Sequence, residues 1–470
     1  MLLALIIPWM LRWICRACCF LAVWTGAAAA QALPPEVEAA LAAAQLPRDA
    51  LVLLVAPAEG GPPRLAHRAD APINPASVAK LATTYAALDL LGPTFTWKTP
   101  VYLDGPVRNG VLQGNLLLQG QGDPKLVIER LWLLLRRVQA LGVHTIAGDI
   151  VLDRSAFAIG PADPAAFDGE PLRPYNAAPD ALLVNYKTVV LTITPEAGRA
   201  RVRAEPTLAG VQWPASVPLA AGECGAWPAT LRADFSNPLQ VRFAGSFPGA
   251  CGERSWNIAF PEPASYGGRA IAALWQEMGG QLGGQVRDGR VPAGLRPAFV
   301  WESPPLAEVV RDINKYSNNV MARQLFLTLS LQLRGSGSDE SSREVLAGWW
   351  RARFGGEPPA VDNGSGLSRT ESITARQLGQ LLQAAWTSPL MPDLVASLPA
   401  LGLDGTLRRA QQNVGLAHLK TGSLNNVSGV AGYVHAARGR RYVLVAIANH
   451  PRANEIRPVV QALVDWTSRQ

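Results

Sequence analysis

The sequence predicts an α+β protein. Stretches that read as strands lie near both ends of the chain, at residues 50–57 and 64–70 and again at 418–422, 430–436 and 441–449. Helical patterns gather at 306–315, 320–333, 341–354 and 375–387. Between the two groups, from about residue 100 to 294, strand patterns separated by Gly and Pro turns dominate. At 470 residues the chain is long enough for two or three domains, and with 49% hydrophobic residues it can bury large cores.

Residues 1–32 read as an export signal. Arg12 and Arg16 precede an apolar run at 18–24, then Gly26 and the alanines 27–30, with cleavage expected after Ala30 or Ala32. A start at Met10 would give a more conventional signal. An uncleaved anchor is the alternative, against which the apolar run is short for a span. The expected address is the periplasm. Without residues 1–32 the chain keeps 41 basic and 36 acidic residues, a net charge of +5. That mild excess suits an anionic envelope surface and argues little for nucleic acid. Cys224 and Cys251 are then the remaining cysteines, and two Cys in an exported protein favour a disulfide.

Taken in order, residues 34–46 read as a short helix, and the strands 50–57 and 64–70 join through Glu59-Gly60-Gly61-Pro62. A strong helix signal follows at 74–91. Asn74 can cap it, Pro75 suits its first position, and Gly92-Pro93 stops it. Leu81, Thr84, Tyr85, Leu88 and Leu91 form one buried stripe. The middle carries strand signals at 111–119, 145–152, 181–195, 200–213, 231–243 and 255–260, with helices at 126–141 and 266–278. Residues 360–369 read as a loop, and a last helix is expected at 455–467. The organisation is therefore a signal at 1–32, a first piece of one domain at 33–98, an inserted β-rich region at 99–296, and the rest of the first domain at 297–470.

Three short motifs carry chemistry. Ser77-Val78-Ala79-Lys80 opens the 74–91 helix. Residues three apart share a helix face, so the Ser77 hydroxyl and the Lys80 amine can meet. First-turn N–H groups lack intrahelical partners, so the Ser77 N–H can serve an oxyanion unless Asn74 caps that same group. A plain surface Ser and Lys is the competing reading of so short a pattern. The basic residues favour specialised lysines: there are 6 Lys against 37 Arg. A site that keeps Lys in such a background calls for an amine that can lose its proton, which Arg cannot do. The other motifs are Ser317-Asn318-Asn319, in the turn between two helices, and Lys420-Thr421-Gly422, on a strand.

In this order the trio resembles the penicillin-recognising serine enzymes. The 240 residues between Ser77 and Ser317 resemble the low-molecular-mass class C penicillin-binding proteins, the D-alanyl-D-alanine carboxypeptidase/endopeptidases. The phrases Ile313-Asn314-Lys315-Tyr316-Ser317-Asn318-Asn319, Gly364-Ser365-Gly366-Leu367-Ser368-Arg369 and Lys420-Thr421-Gly422-Ser423-Leu424 are similar to that family's signatures. The resemblance implies a transpeptidase/β-lactamase-like fold: a five-stranded antiparallel sheet, built from both chain ends, against a helical cluster. It implies Ser77 as nucleophile, Lys80 as its base, and Ser317 as proton relay to the leaving amine. Asn319 would hold the peptide amide. Lys420 and Thr421, followed by Gly422, would take the substrate's terminal carboxylate. The Ser423 N–H would complete an oxyanion hole with that of Ser77. Lys420, as a second cation, would also lower the pKa of Lys80. As a carboxylate anchor it would tolerate Arg if the larger head fits.

Weaker candidates stand beside these. Asp153 resembles a family position facing the site and would read a free amine on the substrate, with a turn Asp as the alternative. Lys315 can be structural, the Gly364–Arg369 stretch can rim the cleft or be a plain turn, and His418 reads as packing or hydrogen bonding. None of the five His is followed by Glu, and there is no Gly-x-Ser-x-Gly elbow and no Gly-Lys-Ser/Thr. Nothing in the set calls for a cofactor or a metal. The implied substrates are peptidoglycan stem peptides and cross-links, with β-lactam antibiotics as inhibitors. A β-lactamase-type hydrolase is the enzymatic alternative, although no counterpart of its deacylating Glu is evident. A catalytically silent wall-binding or sensor protein is the alternative of a different class.

Overall fold

The computed structural model describes residues 32–470. The expected export signal therefore lies, but for its last residue, outside the described part. Helix α1 (Pro35–Ala44) leads into strands β1 (Leu51–Pro57) and β2 (Leu65–His67), then a 3₁₀ turn (Ala76–Ala79) and helix α2 (Lys80–Leu91). The inserted region comes next. The chain returns through α5 (Leu306–Tyr316), α6 (Asn319–Arg334), α7 (Asp339–Phe354) and α8 (Ala375–Trp386). It ends on strands β12 (Ala417–Leu424), β13 (Val427–His435) and β14 (Arg441–Asn449) and helix α9 (Arg457–Ser468).

Both chain ends build one five-stranded sheet, in the order β12–β13–β14–β1–β2, antiparallel throughout. Side chains alternate across a strand, and here both faces are covered. Val52, Leu54, Tyr433, Val443, Val445 and Ile447 face a core shared with α2, α5, α6 and α8. Leu51, Leu53, Val55, Val434, Leu444 and Ala446 face the opposite core, closed by α1 and α9. Helix α2 runs through the first core and is buried on all sides from Lys80 to Leu88, a wider burial than the single stripe expected. No helix among the described residues is long and apolar enough to cross a membrane.

The insertion holds two units, one nested in the other. The outer unit has a mixed sheet in the order β10 (Val286–Asp288), β5 (Ile150–Asp153), β4 (Asn115–Gln119), β3 (Lys98–Asp104) and β11 (Phe299–Glu302). It packs with helices α3 (Ile128–Ala140) and α4 (Pro263–Glu277). The nested unit lies between β5 and α4. Its strands β6 (Thr188–Pro195), β7 (Arg199–Glu205), β8 (Ser216–Ala220) and β9 (Arg254–Ala259) form a sheet with Phe247–Pro248. A Cys224–Cys251 disulfide closes beside this sheet. Since β11 pairs with β3, the insertion's own sheet includes residues on both sides of the expected boundaries 99 and 296.

Several expected strands are shorter than their sequence signal. The runs 111–119 and 145–152 each break in two, at Gly114 and Gly148. A Cβ at Gly114 would sit 1.7 Å from the Asp104 carbonyl oxygen, and one at Gly148 would sit 2.4 Å from Asn115 Oδ1. The run 181–195 becomes strand only at Thr188. Before it, Asn185, Tyr186 and Lys187 form a left-handed turn that brings the Lys187 amine 2.9 Å from Asp180. Residues 231–243 keep only the short pair Ala233–Asp234 with Arg242–Phe243. Strand-like runs between Gly and Pro turns marked these stretches, and such runs do not distinguish paired strand from buried turn.

Candidate active site

The Ser77 turn is clasped from three sides. Pro75 is in the right-handed region, but Ala76 stands at φ 47°, a left-handed conformation that costs energy for a residue with a side chain. The turn Ala76–Ala79 is 3₁₀, and the α-helix begins only at Lys80. Asn74 Oδ1 accepts from the Ala76 N–H at 2.9 Å, so the cap falls one residue before the nucleophile and does not take the Ser77 N–H. Asn449, at the end of β14, exchanges two 3.0 Å bonds with the Asn74 backbone. Two glycines let other segments reach this strained backbone. A Cβ at Gly422 would lie 2.6 Å from the Pro75 oxygen and 3.1 Å from the Ser77 nitrogen. A Cβ at Gly366, itself at φ 78°, would lie 2.1 Å from the Ala76 oxygen.

Lys80 is fully buried, and its Nζ donates to three acceptors: Ser77 Oγ at 2.8 Å, Asn319 Oδ1 at 2.6 Å, and the Ser365 carbonyl oxygen. An ammonium has three N–H groups, and all three are engaged. The neutral amine keeps two, which Asn319 and Ser365 can hold while the lone pair faces the Ser77 hydroxyl. Burial lowers the Lys80 pKa to about 7, against the opposing pull of the Glu371 charge. The site thus holds an amine able to act as a base near neutrality.

The other two motifs close around this pair. Ser317 sits at φ 56°, between α5 and α6. Its Oγ accepts from Lys420 Nζ at 2.9 Å, and Lys420 also donates to the Thr421 carbonyl oxygen at 2.7 Å. Lys420 is fully buried, and burial, then the Lys80 charge, push its pKa well down. Asn319 uses its oxygen on Lys80 and so keeps its amide N–H groups for a ligand. Strand β12 is an edge of the sheet. Leu419 donates its N–H outward to Pro399. Backbone direction alternates along the strand, so the Thr421 and Ser423 N–H groups also point out of the edge, on the side of Ser77.

Ser77, Ser317, Asn319 and Ser423 line one cleft of about 850 Å³, while Lys80 and Lys420 lie beneath it. Its far wall belongs to the insertion and includes Phe167, Asp168, Tyr175 and Tyr186. Arg369 crosses between the parts, stacking 4.6 Å from the Phe167 ring and donating to the Asn425 carbonyl. The Gly364–Arg369 loop is therefore more than a turn: it supplies the Ser365 carbonyl and part of the cleft rim. Lys315 is structural, held 2.5 Å from Asp404, and His418 pairs with His435 at 3.0 Å.

Asp153 is not brought to the cleft, which corrects its expected role in reading a substrate amine. It is buried in the insertion. Its Oδ1 accepts from the Ser155 N–H and hydroxyl, and its Oδ2 from the Val291 N–H. Burial raises its pKa, but these bonds outweigh it and hold the carboxyl below the usual range, as an ion already satisfied. The cleft's own carboxylate is Asp168, fifteen residues on and unnoticed in the sequence. It accepts from the Tyr175 hydroxyl and the Asn176 amide, both at 2.8 Å. Burial opposes ionisation there too, yet the hydrogen bonds keep its pKa low. Its neighbours Phe167 and Tyr175 were the available signal: aromatics flanking an acid in a Gly/Pro-rich loop. Glu371 was missed as well. It is buried, its charge acts on Lys80, and it is not part of the cleft lining.

A serine hydroxyl against a buried lysine, with two strand and helix-turn motifs supplying a second Ser–Lys pair, defines a penicillin-recognising serine hydrolase. The sequence pattern of the D-Ala-D-Ala carboxypeptidase 3 (S13) family matches residues 33–470. The chain is 30% identical over 395 residues to a D-alanyl-D-alanine carboxypeptidase of Actinomadura sp. (strain R39), covering 78% of this chain and 71% of the relative. It is 25% identical over 397 residues to the D-alanyl-D-alanine carboxypeptidase DacB of Haemophilus influenzae, covering 80% of each. Among solved structures, penicillin binding protein 4 of Haemophilus influenzae shares the fold with a TM-score of 0.76 at 21% identity, covering 92% of this chain and 99% of that one. A penicillin G-acylated predatory endopeptidase of Bdellovibrio bacteriovorus matches with a TM-score of 0.53 at 15% identity, over 88% and 92% of the two chains. The chain belongs to the D-Ala-D-Ala carboxypeptidase 3 (S13) family, and is a serine-type peptidase.

Proposed function

We propose that the protein is an exported enzyme that hydrolyses D-Ala–D-Ala bonds of peptidoglycan stem peptides, and D-amino-acid cross-links, through an acyl-enzyme on Ser77. The observation that carries this is the Lys80 amine, fully buried and 2.8 Å from the Ser77 hydroxyl. Neutral Lys80 takes the Ser77 proton as Oγ attacks the penultimate D-Ala carbonyl. The oxyanion accepts from the Ser77 and Ser423 N–H groups. Ser317, held by Lys420, relays the proton that Lys80 has gained to the departing D-Ala amine, which leaves Lys80 neutral again. Lys420, whose ammonium form the arriving anion favours, and the Thr421 hydroxyl hold the terminal carboxylate, Gly422 lets β12 approach, and the Asn319 amide steadies the acyl chain. Water then frees Ser77.

The cleft wall gives the substrate a second handle. Asp168 is exposed, ionised and flanked by the apolar faces of Phe167 and Tyr175. Such a carboxylate suits a long side chain ending in a free amine, so the insertion selects among stem peptides. Penicillins, whose strained amide presents a carbonyl and a carboxylate in similar array, acylate Ser77 and leave slowly. The Cys224–Cys251 bridge is in keeping with an oxidising compartment, which supports export. Labelling by a fluorescent penicillin, lost in Ser77→Ala, together with D-Ala release from a synthetic stem pentapeptide, tests the reading. Labelling that persists in folded Ser77→Ala would overturn it.

A further inference from the structure

Glu371 is a buried carboxyl with no part in the chemistry so far. It is 3% exposed. Its Oε1 accepts from the Asp362 and Asn363 N–H groups at 3.0 and 3.3 Å, while Oε2 is buried without a partner. An ionised oxygen left so is costly unless a nearby positive charge offsets it. The cation that acts on it is Lys80. The two are also linked through the loop. Asn363 Oδ1 accepts from the Ser365 N–H at 3.1 Å and the Ser365 hydroxyl at 2.6 Å. The carbonyl of that same Ser365 accepts from Lys80 Nζ.

We propose that Glu371 is a positioning residue for Lys80: through Asn363 it fixes the Ser365 carbonyl on which the amine hangs, and its buried charge sets how readily that amine gives up its proton. The inference rests on Lys80 acting as the base. An anion acting on the lysine favours the ammonium and so restrains the base until Glu371 itself takes a proton or the amine is relieved by higher pH. Asp362 opposes the ionisation of Glu371 and lies 3.6 Å from Arg343 of α7, while the buried Lys420 is a second amine that feels the Lys80 charge. Burial and Asp362 raise the Glu371 pKa to about 7, beside the about 7 of Lys80, so the two groups exchange influence in the neutral range.

Glu371→Gln keeps an oxygen for the two backbone N–H groups and removes the charge. The six lysines of the chain make ¹³C-lysine NMR tractable, with the Lys80 signal assigned by its loss in Lys80→Met. In Glu371→Gln the Lys80 titration is expected to move down by on the order of one pH unit, the lower range for loss of a nearby opposite charge. The acid limb of penicillin acylation should move with it. Glu371→Asp, which keeps the charge but shortens the reach, should acylate more slowly with the limb near its wild-type place. A role confined to loop packing would slow both variants and move neither titration. An unmoved Lys80 titration in Glu371→Gln overturns the proposal. If that variant does not fold, the wild-type Lys80 signal decides: two inflections support the coupling and a single one overturns it. Should the Lys80 titration shift while the acylation limb stays, the assignment of Lys80 as base fails instead.

Discussion

The floor and the far wall of the cleft are made in opposite ways. The floor is built from packed secondary structure: a fully buried lysine on α2, another on β12, and a serine held left-handed between two helices. Its segments come from three parts of the chain and approach so closely that glycine is required where they touch. The wall comes from loops of the insertion and presents exposed residues such as Asp168 and the 40%-exposed Tyr175. The insertion is nonetheless docked firmly. Gln324 of α6 donates to the Gly122 and Asp180 carbonyls, and Lys125 pairs with Asp312 of α5. Each property is placed where its physical demands are met. Proton transfer needs groups fixed to fractions of an ångström in a dry setting, and packed elements give that. Choice among substrates needs reach and variable chemistry, and surface loops give that.

The largest effect on this division should come from the floor. In Lys80→Arg the fold remains but the base is lost, because guanidinium holds its proton at any working pH. Penicillin acylation and D-Ala release should both fall by roughly 10²–10⁴-fold, the usual worth of a general base. Stopped-flow acylation and a D-Ala assay read this, with circular dichroism to confirm folding. Near-normal acylation by the folded variant would break the assignment of the floor as the chemical part.

Next comes the spacing of the floor. Gly422→Ala puts a Cβ 2.6 Å from the Pro75 oxygen, so β12 must retreat from the Ser77 turn. A displacement of this kind should cost about 10²-fold in acylation without changing any reacting group. Ser423→Ala leaves the backbone N–H in place and should be far milder. Equal losses in the two variants would show that the Ser423 side chain, and not the approach of the strand, is what matters.

The two regions also differed in how far the sequence disclosed them. The sheet from both chain ends and the helices around Ser317 were legible because long periodic stretches and short motifs coincide there. Ser77, Lys80, Ser317, Asn319 and Lys420 lie together in space although up to 343 residues separate them in sequence, and motif chemistry alone selected them. What stayed hidden depends on tertiary placement. The sequence could not tell which N–H Asn74 caps, that Asn319 spends its oxygen on Lys80, or that the Glu371 charge acts on it. It singled out Asp153 and left Asp168 unnoticed, because a turn acid looks the same whether its bonds are satisfied locally or it faces a cleft. Tolerance of Lys420→Arg was also expected if the head fits. Lys420 is fully buried with its amine on Ser317 Oγ and the Thr421 carbonyl, contacts that the larger guanidinium would displace, so that variant should lose most acylation as well.

On the wall, effects should be smaller and selective. Asp168→Asn removes the charge but keeps a partner for Tyr175 and Asn176. The KM for stem peptides with a free side-chain amine should rise about tenfold, the scale of one charge-assisted hydrogen bond lost at an exposed site. Acylation by a penicillin lacking an amine should be unchanged. Matching losses on both ligands would mean that the wall shapes the reacting geometry, and the contrast with the floor would fail. Asp153→Asn serves as the control, since its carboxylate is committed within the insertion.

The smallest effect on catalysis should follow from opening the disulfide. Cys224 and Cys251 are 27 residues apart and pack with Trp227, Val217 and Phe247 in the nested β unit, and neither lines the cleft. In the chain-entropy account, a bridge closing a loop of this length stabilises by about 3.5 kcal/mol, because it removes conformations from the unfolded chain. The double variant Cys224→Ser, Cys251→Ser should therefore show an earlier melting transition of the nested unit, visible by calorimetry or by faster proteolysis of residues 188–260. Penicillin acylation should stay at the wild-type rate at temperatures below that transition. The wall residues Thr188, Val190 and Asn257 belong to the same nested unit, so the stem-peptide KM is the sensitive readout. A KM that rises while acylation holds would show that the bridge rigidifies the wall. A fall in acylation itself would show that the nested unit supports the floor, and the separation of chemistry from selection would have to be abandoned.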